Sequence, residues 1–193
     1  MIAALLGMGT PAPAAETEAA TAVVAPGAEA ATPSAEHFAC ADAFDLVARM
    51  VMFRCDTYQA PAAANRKIAA AVARLRAFDL ITPQTAADTR IEFCPLLQAT
   101  GMVPVPGRIY LDDGLIDLST DGLAEIVAHE FVHIDQFARF GIQAFKCAYV
   151  RAMAACGGCQ DRQHALEAEA YARQDAVRER LYQAPAATLE PDR

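Results

Sequence analysis

Residues 119–141 read STDGLAEIVAHEFVHIDQFARFG, which is the most regular helical pattern in the chain. Ser119, Thr120 or Asp121 can cap the first turn, and Gly141 is well placed to end the helix. Apolar side chains recur every three or four residues, as on one face of a helix, namely at Leu123, Val127, Phe131, Ile134 and Ala138. The pattern therefore predicts one long amphipathic helix over this stretch.

The same helix contains the motif HEFVH at 129–133, which holds two of the four histidines of the chain. His129 and His133 are one turn apart on one face, so both imidazoles can bind one zinc ion at about 2.0–2.1 Å. Glu130 is rotated by about 100° from His129, beside the ion rather than on it. It can therefore act as general base towards a zinc-activated water. The alternative is an ordinary helix with two half-exposed histidines, and the motif favours the metal site.

A catalytic zinc ion usually has three protein ligands and one open position. The metzincin pattern would need glycine and histidine at positions 136 and 139, where this chain has Gln136 and Arg139. The other candidate donors lie in the stretch QHALEAEAYARQ at 163–174; they are His164, Glu167 and Glu169. If this stretch is helical, Glu167 shares a face with His164 and with Tyr171, whereas Glu169 points elsewhere.

Three stretches, HEFVHIDQF, FGIQAFKCAYV and ALEAEAYA, resemble a bacterial family of proposed zinc peptidases of the gluzincin type. Members of that family combine HE-apolar-x-H-x-x-Q with a downstream P-x-E-x-E-A-Y block, and the resemblance covers about residues 103–175. It implies a zincin-like domain in which Glu167, three residues before Ala170, is the third zinc ligand, with His164 and then Glu169 as alternatives. Tyr171 stands where related enzymes often have Asp, and the proline before the glutamates is absent.

Further residues have two interpretations each. Asp135 or Glu125 could orient a ligating histidine, although a solvated charge is the simpler interpretation. Tyr149 and Tyr171 could polarise a scissile carbonyl, or they could be ordinary core or rim residues. The stretch 108–111, RIYL, could be the edge strand that pairs with a peptide substrate, or a core strand.

Apolar spacing predicts three more helices, at 41–54, 61–80 and 163–182. In the first, the apolar positions are Phe44, Leu46, Val47, Met50, Val51 and Phe53. With one short strand after a Pro-Gly turn, these helices predict an α+β, mostly helical domain. The second ligand helix would follow the zinc helix after a long disulfide-clamped loop.

The chain has six cysteines, an even number that favours disulfides in an oxidising compartment: Cys40, Cys55, Cys94, Cys147, Cys156 and Cys159. The motif CGGC at 156–159 could instead join Cys147 and His164 in a structural Cys₃His zinc site. A redox pair would need a thioredoxin-like βαβ setting, which the sequence lacks. We expect disulfides, with Cys147 paired to Cys156 or Cys159.

Charge and composition argue against some classes of function. The net charge is −8 and the isoelectric point is about 4.9, which argues against nucleic acid as a partner. No apolar run approaches the roughly 20 residues of a membrane-spanning helix. We expect a possible signal segment at 1–14, a flexible tether at 15–36, the folded domain at 37–183 and a disordered tail at 184–193, in an exported protein.

Together these features predict a zinc metallopeptidase that hydrolyses peptide bonds in a peptide or protein substrate. Its zinc ligands would be His129, His133 and Glu167, and Glu130 would be the catalytic base. The alternative is a zinc-bearing binding or scaffold domain without catalysis.

Overall fold

The computed structural model describes residues 35–96 and 99–183, with side chains from residue 40 onwards. The expected signal segment, nearly all of the expected tether and the expected tail lie outside these ranges. Within them, no helix is long and apolar enough to cross a membrane.

The described residues form six α-helices and a three-stranded mixed sheet, which confirms the predicted mostly helical α+β class. In chain order the elements are α1 (Ala35–Asp56), α2 (Ala62–Ala77), α3 (Pro83–Asp88), β1 (Arg90–Cys94), β2 (Gly101–Val105), β3 (Arg108–Asp112), a 3₁₀ turn (Asp113–Asp117), α4 (Thr120–Phe140), α5 (Ile142–Ala155) and α6 (Ala165–Gln183).

Helix α4 forms as its sequence predicts. The Ser119 side chain accepts a hydrogen bond from the Gly122 N–H, and Gly141 ends the helix with a positive φ of 79°. Leu123, Val127 and Phe131 are buried in the core, against which α2 and α6 pack. The predicted stripe fails at its end, because Ile134 is only half-buried and Ala138 is exposed where the helix leaves the core.

The sheet has the strand order β1-β3-β2, with β1 parallel and β2 antiparallel to β3. Residues 108–111 therefore lie in the central strand, and their interpretation as an edge strand is wrong. The turn at Gly107, where φ is 76°, folds β3 back between β2 and β1. The strand that borders the HEFVH helix at an edge of the sheet is β2.

Helix α1 buries a narrower face than its apolar residues suggest. Ala41, Phe44 and Ala48 face the core, and the small alanines allow the helix to pack closely. The other apolar side chains predicted for its buried face are half-buried at Val51 and exposed at Leu46, Val47, Met50 and Phe53. Apolar residues occupy most sides of this helix, so spacing alone could not identify the face that packs.

All six cysteines form disulfides, as Cys40–Cys147, Cys55–Cys94 and Cys156–Cys159. The expected pairing of Cys147 with Cys156 or Cys159 is wrong. Most of the predicted long loop is helix α5. Eight helical residues lie between Cys147 and Cys156, and the rise of the helix puts these cysteines about 13.5 Å apart, too far for a disulfide. Cys147 instead joins α5 to α1, and Cys156–Cys159 closes the turn after α5.

Candidate metal centre

Helices α4 and α6 bring His129, His133 and Glu167 together in the protein interior. His129 Nε2 lies 3.0 Å from Glu167 Oε2, and His133 Nε2 lies 3.4 Å from Glu167 Oε1. One possible ligand atom from each residue lies within 4.8 Å of the others. All three side chains are buried, so the predicted set meets at one point.

The spacing of these atoms fits a small divalent metal ion. Bonds of about 2.0–2.1 Å in a tetrahedral site place neighbouring donor atoms about 3.3 Å apart. The two separations that involve Glu167 are close to this value, and each uses a different oxygen of its carboxylate. Two imidazoles with one carboxylate suit zinc, copper, iron or nickel better than magnesium or calcium. Three protein ligands also leave a fourth position for another molecule.

Electrostatics within the triad favour a cation beside Glu167. Burial alone would raise the pKa of the Glu167 carboxyl, but hydrogen bonds from His129 and His133 hold it well below its usual range. Burial would lower the pKa of His133, but the hydrogen bond to Glu167 and the negative charges of Glu130 and Glu167 together outweigh it and raise that pKa to about 9. Without a metal, a proton on His133 therefore supplies the positive charge that Glu167 needs.

Glu130 lies next to the triad in an unusual environment. Its side chain is only 2% exposed, and Oε2 makes no hydrogen bond within the described part of the chain. Burial raises the pKa of this carboxyl. Gly101 of β2 packs directly against it, and a Cβ atom there would lie 2.6 Å from Glu130 Cδ. A buried carboxylate oxygen without a partner is costly, and such atoms are typical of functional sites.

Gln136 contributes to the site in a role that the sequence analysis did not predict, although the residue belongs to the HE-apolar-x-H-x-x-Q pattern. Its Oε1 lies 2.9 Å from His133 Nδ1, and its Nε2 donates to the Leu166 carbonyl and to Glu169 Oε2, both at 3.0 Å. The available signal was its position three residues after His133, on the same face of α4. Neither acidic candidate orients a histidine: Glu125 pairs with Arg178 at 2.8 Å, and Asp135 is exposed on α4.

The two alternative third ligands lie outside the triad. His164 Nε2 pairs with the Tyr149 carbonyl at 3.0 Å, and its Nδ1 accepts the Leu166 and Glu167 N–H groups at 3.3 Å. His164 therefore caps the start of α6. Glu169 instead forms an ion pair with Arg139, at 2.6 Å.

Both tyrosines border the triad. The Tyr149 hydroxyl donates to Glu167 Oε1 at 2.6 Å, and burial raises the Tyr149 pKa well above its usual range. The Tyr171 ring packs edge-on against His129, with 4.8 Å between ring centroids. Tyr149 is thus a neutral donor that holds the Glu167 carboxylate in place.

These contacts define a class of site: a buried His-His-Glu triad with a second glutamate beside it, consistent with the HExxH···E arrangement of a metal centre. No protein-family model, curated protein or solved structure matches the chain. The three disulfides indicate an oxidising, extracytoplasmic environment.

Proposed function

We propose that the protein is a zinc-dependent metallopeptidase of the zincin group, with His129, His133 and Glu167 as zinc ligands. The observation that carries this proposal is the convergence of these three buried side chains next to Glu130. When bound, zinc would polarise a substrate carbonyl and lower the pKa of water.

Glu130 would be the general base. It follows the first ligand on α4, so its carboxylate is adjacent to the triad without joining it. Its raised pKa brings it nearer to neutral pH, where a base can accept a proton from water and return it to a leaving amine. Gly101 allows β2 to pass directly over this carboxylate, which places main-chain groups close to the base.

The edge strand β2 supports a peptide as the substrate class. The Asp112 N–H donates to the Thr100 carbonyl, and Gly101 pairs with Leu111 as the next residues of the ladder. Because an antiparallel ladder alternates, the main-chain groups of Gly101 point away from β3. An extended peptide could pair with them by strand addition and lie across Glu130.

The test combines zinc content and proteolysis in the full-length protein. We expect one zinc ion per chain, lost in His129→Ala, and cleavage of a peptide library that mass spectrometry detects. Glu130→Gln is the matched variant: it should keep the zinc ion and lose cleavage. Absence of zinc, or a zinc ion that survives His129→Ala, would overturn the metal site, and cleavage that survives Glu130→Gln would overturn the mechanism.

A zinc-bearing binding or scaffold domain without catalysis is the second candidate. The observation that favours it is the depth of the site, since the three ligand residues and Glu130 are all less than a tenth exposed. In that case wild-type protein would bind zinc and leave every library peptide intact. Glu130→Gln would then change neither zinc content nor the library.

A further inference from the structure

We propose that Gln136 is a positioning residue that fixes the proton of His133 on Nδ1, so that Nε2 faces Glu167 and the metal. The inference rests on the proposed metal site, although its first test needs no metal. Gln136 is completely buried and reaches both helices of the site.

The orientation of the Gln136 amide follows from its partners. One end faces the Leu166 carbonyl and the Glu169 carboxylate, each at 3.0 Å. A carbonyl only accepts hydrogen bonds, and Glu169 Oε2 also accepts one from the Arg139 guanidinium at 2.6 Å. The end that faces them must therefore be the NH₂ group, which directs Oε1 to His133.

This orientation determines which nitrogen of His133 carries a proton. Gln136 Oε1 lies 2.9 Å from His133 Nδ1 and can only accept, so Nδ1 must donate. Without a metal, Nε2 also carries a proton and faces Glu167 Oε1 at 3.4 Å; once that proton is lost, the one on Nδ1 remains and the lone pair on Nε2 is free for a metal ion. A ligating histidine whose other nitrogen donates to a fixed acceptor is held in the tautomer and ring orientation that a metal requires.

Gln136 also connects His133 with the helix that supplies the carboxylate. The Leu166 carbonyl, which accepts from Gln136, belongs to the residue before Glu167. One amide thus sets the position of a histidine on α4 relative to a glutamate on α6. His129 lacks such support in the described chain, because its buried Nδ1 has no hydrogen-bond partner there. His133 is therefore the better-positioned imidazole.

Two substitutions separate the orienting role from the tethering role. Gln136→Met fills similar space but removes the acceptor for His133 and both donors to α6. Gln136→Glu keeps an acceptor for His133 and removes the donors to α6. Arg139→Met is the control, because it removes the ion pair with Glu169 and leaves the Gln136–His133 contact in place.

The first measurement is a ¹H–¹⁵N spectrum of the histidine side chains in the metal-free, full-length protein, recorded at a pH high enough for His133 to have lost its second proton. We expect an exchange-protected Nδ1–H signal from His133 in the wild type, in Gln136→Glu and in Arg139→Met, and its loss in Gln136→Met. A wild-type His133 without a protected Nδ1–H would overturn the proposal, whether or not the protein is a peptidase.

The second measurement is zinc affinity by competition with a chelator, with thermal unfolding of each metal-free variant alongside. Gln136→Met should bind zinc about 10–100-fold more weakly, as is typical when such a supporting group is lost. Gln136→Glu and Arg139→Met should stay close to the wild type. Equal zinc loss in Gln136→Met and Gln136→Glu would show that tethering of α6, rather than orientation of His133, controls the affinity.

Discussion

The disulfide Cys40–Cys147 should contribute more to stability than its position near one end of the domain suggests. It joins α1 to α5 across a sequence separation of 107 residues. In the chain-entropy model, closing a loop of that length stabilises the fold by about 4.8 kcal/mol at 25 °C. Cys55–Cys94 already closes 39 residues inside the loop. With that disulfide in place, the loop that Cys40–Cys147 closes has an effective length of about 70 residues, and its expected contribution to stability is about 4.4 kcal/mol.

Cys156–Cys159 provides the matched comparison, because its two cysteines are only three residues apart. The same model gives about 1.6 kcal/mol for so short a loop. We therefore expect the double variant C40A/C147A to lose about 3 kcal/mol more unfolding free energy than C156A/C159A.

Urea unfolding followed by circular dichroism measures both losses. With a slope of about 2 kcal/mol per molar urea, C40A/C147A should unfold at about 2 M less urea than the wild type. Peptide mapping without reduction would verify the pairing in the starting protein. If the two double variants unfold at the same urea concentration, the long loop does not constrain the unfolded chain, and loop length does not set the stabilisation by these disulfides.

Two further substitutions probe the site. Gly101→Ala should abolish most cleavage and leave the zinc content unchanged, because the new Cβ displaces the Glu130 carboxylate and a shift of about 1 Å can cost about 100-fold in rate. The control is Gly122→Ala, a glycine-to-alanine change in the first turn of α4, which should leave cleavage intact. Full activity in Gly101→Ala would refute the contact. His164→Ala should lower the unfolding free energy by about 2–4 kcal/mol, because it removes the cap on α6 and leaves a cavity where a completely buried ring packs. The variant should retain one zinc ion per chain. Zinc loss without a change in the urea midpoint would instead make His164 a ligand.

Local patterns identified the part of the fold on which the site depends. Helix α4 could be predicted because its spacing, its cap at Ser119 and its end at Gly141 all lie within one continuous stretch. The same stretch contains His129, Glu130 and His133. Glu167 required the resemblance to a zinc peptidase family, since three candidate donors lie within six residues.

Local sequence patterns could not predict contacts between segments that are far apart in the chain. The sequence predicts a long disulfide-clamped loop where the structure has helix α5, because Cys147 and the CGGC motif lie close together in the chain. The true partner of Cys147 is Cys40, and only the packing of α1 on α5 reveals it. Gln136 was overlooked for the same reason, since two of its three partners belong to α6.

The junction between α4 and α5 consists of one residue, Gly141. Such a short linker restricts the movement of α5 relative to α4, so Tyr149 on α5 should stay close to the triad. Its attachment to α1 through Cys147 restrains it a second time. Residues 156–164 form a longer connection between α5 and α6, and Arg162 in this connection stacks on Tyr171 beside His129. Access of a ligand to the triad should therefore depend on this connection and on Tyr171, while α5 keeps its position relative to α4.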